Sequence, residues 1–472
     1  MGIIIRHITL SINWLILVSF SVVPFMISFF DSRIAIFKSK DVIPAQVTLD
    51  LGNAWADNSV NTAIFRQDGL TTQNGYQFTA FYVDEKTISI VKRKLTTNQT
   101  ERYDLPGDYE LSDSHNAISI GIDSDGYLHM VYQEHVSPLH YRISLQPYSI
   151  DQWYDEQSMT GVNENQVTYP SFVKVDNQGK LLFLYRHGYS GKGALCIKEY
   201  STQTKSWKDN NEFIASGLDG KPWKSNPYWN TPVVDQEDNL HLSFVWRTDS
   251  IGEEELVNNI GIDYAWSPDL GMNWYTSKDV PIKIPITQVN SETIFAVSPG
   301  TNLMNQTSMA VDSKGRMHIV FYSDDLNGIP QYQHLWFDGK DWQHSVISSQ
   351  STDFSLLGKG TLPLPMTRPE ILIDKSDNVY VIYQAKFTDY KMAVLKLSAP
   401  KYEYKQKNQR ILWDEPLGYA EPIVDRTRWK KENILSMLIQ YNNSPDYDSE
   451  AASKSELSPI KIVDWDILRN WK

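Results

Sequence analysis

One short pattern recurs five times along this 472-residue chain and constrains its fold more than any other feature. The pattern is an aspartate, two or three polar or glycine residues, and then alternating apolar residues. The five copies start at Asp123, Asp176, Asp235, Asp312 and Asp374. Each copy predicts a tight polar turn that leads into a half-buried β-strand, because every second side chain of a strand points to the same face.

Two weaker copies flank these five, at Asn74 (NGYQFTAFYVD) and at Asp425 (DRTRWKKENILSMLIQ). No segment shows a sustained helical period. Seven irregularly spaced units suit blades of about 40–50 residues with insertions. We therefore predict an all-β fold, a seven-bladed β-propeller of four-stranded antiparallel blades, over residues 42–441.

A second motif supports the propeller. Residues 267–274 (SPDLGMNW) fit the S-x-D-x-G-x-x-W Asp-box, a hairpin turn typical of sialidase-type propellers. In such a turn we expect Asp269 to cap backbone amides, Gly271 to supply the unusual φ angle and Trp274 to pack beneath. The motif is structural and does not indicate a reaction.

The two ends of the chain differ from the repeat region. Residues 8–30 form an uncharged stretch of 23 residues after Arg6 and His7. This exceeds a signal-peptide core of about 7–15 residues and matches the roughly 20 that span a bilayer. We predict that residues 1–41 are a signal peptide or membrane anchor, and that the protein is secreted, periplasmic or on the cell surface. Residues 442–472 are predicted to be a polar tail that could dock on the propeller.

The net charge of −13 argues against a nucleic-acid partner. It leaves room for an anionic polysaccharide, because a local basic cleft can exist on an acidic protein. Cys196 is the only cysteine, so the chain cannot form an internal disulfide. We expect a monomer whose only membrane contact is the N-terminal anchor, if that anchor is retained.

The repeat separates two kinds of histidine. The residue six positions after the repeat aspartate is His129, His241 or His318 in three copies, and a shared repeat position favours a structural role. His115 and His135 lie outside the pattern, on either side of one blade. They are the better candidates for function, although a loop histidine is often merely solvated.

The two following blades repeat this layout with other residues. Tyr169 and Tyr228 each precede a strand, and Arg186 and Arg247 each end one. Such positions surround the central channel, where propellers bind ligands. The alternatives are core tyrosines and surface arginines. The predicted cleft residues are His115, His135, Tyr169, Arg186, Tyr228 and Arg247.

This set suits proton transfer beside an anion. Histidine and tyrosine exchange protons, and arginine binds carboxylate or sulfate. A glycosidase normally needs two flanking carboxylates, and no such pair accompanies the set. A lyase that cleaves a uronate must neutralise its carboxylate, take the C5 proton and protonate the leaving O4, which these residues could do.

Several motifs together resemble a known family, the propeller-type ulvan lyases within the bacterial-neuraminidase-repeat group. They are DSHNAISIGIDSDGYLHM, HVSPLHYR, VTYPSF, YRHGYSGKG and NPYWN, followed by the Asp-box. The similarity covers residues 111–274 well and the remainder loosely. It implies a secreted enzyme that cleaves ulvan, the sulfated rhamnose–uronate polysaccharide of green algae. The implied reaction is β-elimination at the rhamnose-to-uronate linkage, which leaves an unsaturated uronate.

The resemblance also implies roles for individual residues. His115 and Tyr169 match residues that share the work of base and acid, in an order left open. Arg186 matches the arginine that neutralises the carboxylate. His135 matches a second active-site histidine and Tyr228 a substrate-contacting tyrosine, and both are expected to position the sugar. Arg247 is assigned to substrate binding from its place in the blade.

One departure concerns metals. Some relatives look to carry a structural zinc site built from a cysteine and several histidines near the Asp-box blade. Residues 258–266 (NNIGIDYAW) contain neither, and Cys196 with His187 are too few ligands. We predict no catalytic metal and no required cofactor, and a structural calcium or zinc ion stays open.

Two other functions remain open. The propeller could bind glycans without catalysis, since fold alone does not imply a reaction. It could also be a sialidase-like glycoside hydrolase, with Arg186, Arg247 and Arg368 as an arginine cluster. No convincing carboxylate motif accompanies those arginines.

Overall fold

The computed structural model describes residues 41–358, 362, 365–444 and 456–471. These residues belong to one compact unit, Phe37–Lys472. The predicted N-terminal segment, residues 1–41, lies outside the described residues except for Asp41. Within the described ranges, no helix is both long enough and apolar enough to cross a membrane.

Strands account for most of the regular structure. In the first half of the chain they are β1 (Val47–Trp55), β2 (Leu70–Gln73), β3 (Tyr76–Asp84), β4 (Thr87–Lys94), β5 (Thr100–Pro106), β6 (Ser119–Ile122), β7 (Leu128–Val131), β8 (His135–Ser137), β9 (Tyr141–Ile143), β10 (Val167–Val175), β11 (Lys180–Tyr189), β12 (Lys192–Ser201), β13 (Ser206–Asp209), β14 (Ala215–Ser216) and β15 (Asn226–Trp229).

The strands of the second half are β16 (Val233–Val234), β17 (Leu240–Arg247), β18 (Asn259–Ser267), β19 (Trp274–Tyr275), β20 (Pro281–Ile282), β21 (Glu292–Phe295), β22 (Ser308–Val311), β23 (Met317–Asp324), β24 (Pro330–Phe337), β25 (Trp342–Val346), β26 (Glu370–Ile373), β27 (Val379–Tyr383), β28 (Lys391–Leu397), β29 (Gln409–Pro416), β30 (Ile423–Val424), β31 (Leu435–Ile439) and β32 (Leu457–Trp465). The described helices are α1 (Arg426–Glu432) and four short 3₁₀ turns, Ser114–Asn116, Lys386–Thr388, Gln406–Asn408 and Ile467–Trp471.

The strands form antiparallel sheets arranged as a β-propeller, which confirms the predicted fold class. The described residues contain seven sheets, of which six have four or more strands. The prediction of seven four-stranded blades is therefore wrong in its count. The exception is β6–β7–β9, where the fourth position is reduced to a single bridge between Ser144 and Trp153. The short strand β8, which lies between β7 and β9 in sequence, pairs instead with β10 of the next sheet.

The first and last strands of the described chain, β1 and β32, belong to one sheet, and their pairing closes the ring. Its strand order is β1–β32–β31–β30, so β32 lies between the first strand and the other late strands. Val47 pairs with Asp464 at one end of β1, and Trp55 pairs with Leu457 at the other. Residues 457–465 of the predicted tail thus form a strand of this sheet, between β1 and β31.

The histidines of the repeat connect each turn to its neighbouring strand. His241 Nε2 lies 3.2 Å from the Asp235 carboxylate, and Nδ1 lies 2.7 Å from the Tyr264 hydroxyl. His129 Nε2 makes a similar contact with Asp123 at 3.5 Å, whereas His318 Nε2 lies 3.8 Å from Asp312, beyond hydrogen-bond distance. All three rings are buried. The structural role predicted for them is confirmed.

The Asp-box turn has the predicted geometry. The Asp269 carboxylate accepts the Asn273 N–H at 2.8 Å, and Gly271 has a φ angle of 104°. Trp274 is buried and donates from Nε1 to the Gly271 carbonyl at 3.0 Å. A β-branched or bulky residue at 271 would be strained in this conformation.

Apolar side chains fill the spaces between neighbouring sheets. Phe78 and Ile90 from the sheet of β2–β5 pack with Ile120 and Met130 from β6 and β7 in one buried cluster. Further clusters occupy the interfaces between the other sheets. The core therefore holds each blade against the next, and fixes the strand ends that surround the channel.

Candidate active site

A cavity of about 470 Å³ brings the six predicted cleft residues together. They come from the 3₁₀ turn before β6, from β8, and from β10, β11, β15 and β17. His115, Tyr169, Arg186 and Tyr228 are buried, whereas His135 and Arg247 are half-buried. Their catalytic and binding roles remain predictions.

His115 and His135 share one carboxylate. His115 Nδ1 lies 2.6 Å from Asp113 Oδ1, and His135 Nδ1 is hydrogen-bonded to Asp113 Oδ2. The two imidazole rings stack, with centroids 4.2 Å apart and planes 13° apart. Phe65 stacks on the other face of His115 at 4.8 Å. His115 is thus held between two parallel rings with its Nδ1 directed at Asp113.

These three residues are also the group best placed to bind a metal within the described ranges. Their ligand atoms all lie within 4.8 Å of one another. However, a metal binds in the plane of an imidazole at about 2.0–2.1 Å from the nitrogen. An ion shared by two stacked rings would lie far out of both planes. The arrangement fits hydrogen bonds to Asp113 better, and the absence of a required metal stays a prediction.

Burial keeps His115 neutral. Desolvation lowers its pKa to about 4, although Asp113 opposes this, and the charges of His135 and Arg186 lower it further. The environment of Asp113 favours its charged form, whereas that of His115 favours the neutral form. Burial opposes its ionisation, but the two histidine hydrogen bonds keep its pKa far below the usual range. At neutral pH the pair is therefore an ionised carboxylate beside a neutral imidazole at His115.

A β-bulge directs Tyr169 into the cleft. The register of β10 against β11 shifts between Thr168 and Ser171, so that Tyr169 and Pro170 form the bulge. Tyr169 has a φ angle of 60°, an uncommon conformation for an aromatic residue and one found at functional sites. Its ring meets Phe65 edge-on at 5.5 Å. Burial raises the Tyr169 pKa well above its ordinary value, so the phenol stays protonated.

Arg186 is buried without a carboxylate partner among the described residues. Its Nη1 donates to the Tyr228 hydroxyl at 3.2 Å and its Nη2 to Thr168 Oγ1 at 3.0 Å. Its Nε, also buried, has no hydrogen-bond partner there. The guanidinium lies over the Tyr169 ring, 4.9 Å from its centroid. A buried cation left unpaired is costly, so this site is suited to receive an anion.

Tyr228 lies between two arginines. Burial opposes its ionisation, yet the charges of Arg186 and Arg247 lower its pKa. Its hydroxyl donates to Ser190 Oγ at 3.1 Å. Tyr169 and Tyr228 face each other with centroids 5.6 Å apart. The two phenols therefore differ, with Tyr169 the more firmly protonated.

Arg368 and Glu421 line the same cavity but satisfy each other. Arg368 Nε donates to Glu421 Oε1 at 2.9 Å, and a second hydrogen bond joins Nη2 to Oε2. Glu421 also accepts the backbone N–H of Ile64 at 2.9 Å. A carboxylate engaged in this way is poorly placed to serve as a general acid, and Arg368 is not available as a free cation.

Sequence reasoning did not select Asp113, Thr168 or the Arg368–Glu421 pair. Asp113 directly precedes the S-H-N motif, but a single aspartate before a turn is normally a cap, which it also is. His135 was expected in a loop, whereas it begins β8. The pairing of Thr168 with His135 across β10 and β8 explains why that segment is ordered as a strand.

Comparisons with known proteins agree with this architecture. A model of the family described as "BNR repeat-containing family member" matches residues 76–350, more than half of the chain. An ulvan lyase of Alteromonas sp. (strain LOR) is 22% identical over 326 residues, 61% of this chain and 66% of that protein. An ulvan lyase of Nonlabens ulvanivorans is 24% identical over 263 residues, 49% of this chain and 54% of that protein. The chain thus spans about half to two thirds of the length of these relatives.

Two solved structures of PL25 ulvan lyase have a similar fold. One aligns with a TM-score of 0.62 at 15% identity, and covers 88% of this chain and 96% of that chain. The other, bound to -[GlcA(1-4)Rha3S]-, aligns with a TM-score of 0.59 at 14% identity over the same shares. At such identities the likeness establishes the fold alone.

Proposed function

The chain belongs to the BNR repeat-containing family, and we propose that it is a polysaccharide lyase that cleaves ulvan. The reaction is β-elimination at the rhamnose-to-uronate linkage. One observation carries the proposal, the buried and carboxylate-free Arg186 in a cavity that also holds a neutral histidine and a protonated tyrosine. The relatives called ulvan lyases, and the oligosaccharide bound to one similar structure, support the choice of substrate.

Arg186 binds the uronate carboxylate. The unpaired Nε gives it a donor for one carboxylate oxygen, and Arg247 on the neighbouring blade offers a second cation for carboxylate or sulfate. Neutralising the carboxylate makes the C5 proton more acidic, because charge that develops at C5 spreads onto a group that is already stabilised.

The acid and base roles follow from the two pKa directions. His115 is neutral above about pH 4 and so can accept the C5 proton. Tyr169 stays protonated and so can donate to the leaving O4. The C5–H electrons form the C4=C5 double bond as the C4–O4 bond breaks. Protons exchanged with solvent then return both residues to their starting states.

The test is to incubate the protein with ulvan and follow the ultraviolet absorbance of the C4=C5 double bond conjugated to the carboxylate. Mass analysis of the products separates elimination from hydrolysis, because only hydrolysis adds water. Binding to ulvan without product would identify a glycan-binding propeller instead. Products that carry water would identify a glycoside hydrolase.

We extend the proposal to location and assembly. A polymeric substrate does not cross a membrane intact, so a secreted, periplasmic or surface-bound enzyme fits this activity, and we propose in addition that it acts as a monomer. Cell fractionation, together with light scattering of the purified protein, tests both points. Full activity after dialysis against a chelator is expected, because no step in this scheme uses a metal.

A further inference from the structure

Asp113 occupies an unusual position in the cleft because its two oxygens serve two different rings. Oδ1 faces His115 Nδ1 at 2.6 Å, and Oδ2 is hydrogen-bonded to His135 Nδ1. Asp113 Oδ1 also accepts the backbone N–H of His115 at 2.8 Å, as the N-cap of the 3₁₀ turn. A single side chain therefore determines the orientation of both histidines.

We propose that Asp113 is a positioning residue that fixes both imidazoles as Nδ1–H tautomers, so that His115 accepts the substrate proton through Nε2 and His135 offers Nε2 as an acceptor to the sugar. The inference rests on the proposed lyase function for its catalytic consequence. Its structural part does not, because an ionised carboxylate accepts hydrogen bonds and cannot donate them. Both Nδ1 atoms must therefore carry hydrogen.

Because the two imidazole rings are stacked, Asp113 also offsets the positive charge that forms when one of them is protonated. When His115 takes the C5 proton through Nε2, its ring becomes positive only 4.2 Å from the centroid of His135. The same ring remains hydrogen-bonded to the negative Asp113, which offsets the new charge. One carboxylate shared by two rings thus offsets the charge of one imidazolium at a time, and its contact with His115 opposes the burial that disfavours a positive ring there.

Asp113→Asn separates these effects from the fold. Asparagine is as good an N-cap as aspartate, so the 3₁₀ turn is kept. Its amide offers one acceptor oxygen and one donor nitrogen, so one of the two rings must change to the Nε2–H tautomer. We expect kcat to fall by about 10²- to 10⁴-fold with little change in KM, as a histidine held in the wrong tautomer implies.

Asp235→Asn is the matched control. Asp235 also accepts from a histidine and caps a turn, but lies outside the cleft. Its kcat and KM should stay within about twofold of the wild-type values, because Asp235 is hydrogen-bonded to its own turn and to His241 and does not line the cleft. Loss of the buried contact with His241 should lower the thermal midpoint instead. An equal loss of activity in both variants would show that the effect at 113 is only structural.

The decisive readout needs no activity. Nitrogen-15 NMR of labelled histidine distinguishes the two tautomers, and the His115→Gln and His135→Gln variants assign the signals. We expect both rings as Nδ1–H in the wild type and one as Nε2–H in Asp113→Asn. An Nε2–H ring in the wild type overturns the inference, as does a bound metal that disappears with Asp113→Asn.

The two proposals fail in distinguishable ways. Wild-type protein without lyase activity, but with both Nδ1–H signals, refutes the proposed function and leaves the positioning role standing. Active protein in which Asp113→Asn keeps the wild-type kcat refutes the positioning role alone. If Asp113→Asn does not fold, the tautomers of the wild type still decide the question.

Discussion

At the scale of single residues, two buried arginines differ in whether their donors are used. Arg66 donates to the backbone carbonyls of Ile118 at 2.9 Å and Asn61 at 2.6 Å, and to two further carbonyls. Arg186 uses two hydroxyl acceptors and leaves Nε unpaired within the described structure. Arg66 is therefore a structural residue, whereas Arg186 has an unused donor, Nε, with which it can bind a ligand.

We expect Arg186→Met and Arg66→Met to have opposite consequences. Arg186→Met should lower kcat/KM by about 10²- to 10³-fold, the usual cost of losing one preorganised charge. Its thermal midpoint should stay the same or rise, because an unpaired buried charge is removed. Activity on ulvan and thermal unfolding provide the two measurements.

Arg66→Met leaves buried carbonyls without donors, at about 1–3 kcal/mol for each group. It should therefore lose stability, and keep activity to the extent that it folds. A destabilised Arg186→Met variant with normal kcat/KM would show that Arg186 is structural as well.

The pH dependence should reveal the buried state of His115. Its pKa of about 4, below the ordinary value of about 6.5, predicts that kcat/KM is constant from pH 5 to 7 and falls only as the pH approaches 4. The sign follows from the role of base, since only neutral His115 accepts a proton. Activity regained on return to pH 7 separates titration from acid unfolding. A decline centred near pH 6.5 would contradict the assignment.

The sequence alone identified candidate residues that fall in recognisable motifs. It did not identify residues whose role depends on a partner elsewhere in the chain. His115 and Tyr169 fall in short motifs, and the repeat excluded His129. Asp113 contacts His135, 22 positions away, as well as the adjacent His115, and Glu421 is paired with a residue 53 positions away. Pairing across that distance leaves no local pattern.

At the scale of elements, β8 positions His135 by pairing with β10 of the next sheet. It does not pair with β7 or β9, the strands that flank it in the sequence. Thr168 on β10 accepts the Val136 N–H at 2.9 Å and an Arg186 donor at 3.0 Å through the same hydroxyl. Val136 itself has a φ angle of 58°. The hydroxyl therefore links the strand of His135 to the guanidinium of Arg186.

Thr168→Val should disturb both groups at once. The change keeps the side-chain shape but leaves a buried donor of Arg186 and the half-buried Val136 N–H without their acceptor, at about 1–3 kcal/mol for the buried one. We expect kcat/KM to fall about tenfold and the thermal midpoint to drop, with Thr168→Ser close to wild type because it keeps the hydroxyl. Normal activity in Thr168→Val would mean that β8 is held by its backbone pairing alone.

The residue pattern predicted the type of most elements. It failed where contacts between distant parts of the chain determine whether a segment is a turn, a helix or a strand. The weak repeat at Asp425 was expected to form a turn and a strand. The strand is present as β31, but the turn is replaced by the helix α1, which Asp425 caps by accepting the Arg428 N–H at 2.8 Å. Segment 457–465 looked like part of a polar tail, and its place in a sheet depends on the nearby β31 and on β1, a strand more than 400 positions earlier in the chain, which no local pattern records.

At the scale of the whole molecule, a buried ion network holds the closing sheet. Asp464 on β32 pairs with Arg93 of β4 at 2.6 Å and with Arg428 of α1 at 2.7 Å. Asp464 and Arg93 are almost fully buried. The network therefore joins the last sheet to the first at the point where the ring closes.

Asp464→Asn should destabilise the protein by about 3–5 kcal/mol at neutral pH, because it leaves buried arginine charge uncompensated. Burial opposes ionisation of Asp464, but the Arg93 and Ser436 hydrogen bonds and both arginine charges hold its pKa below the usual value. Its stabilisation is therefore present above about pH 4, the unfolded value. It is lost as the pH falls further. Chemical denaturation between pH 3 and pH 7 should show the two proteins converging at the acid end.

Asp108→Asn provides the control for this prediction. Asp108 pairs with Lys86 on the surface, and both side chains are exposed. Its loss should leave the free energy of unfolding almost unchanged, because water screens an ion pair at the surface. A similar effect at both positions would show that overall charge, rather than the buried network, determines the acid sensitivity.

Because the ring closes only when β32 pairs with β1, the propeller cannot be completed before β32 has been synthesised. β1 leaves the ribosome early, but the strand that must lie beside it, β32, is made last. At about 5–20 residues per second, tens of seconds separate the two. For that interval β1 lacks its only neighbour in the sheet, and the ring stays open. A product that terminates just before β32 would keep that gap permanently.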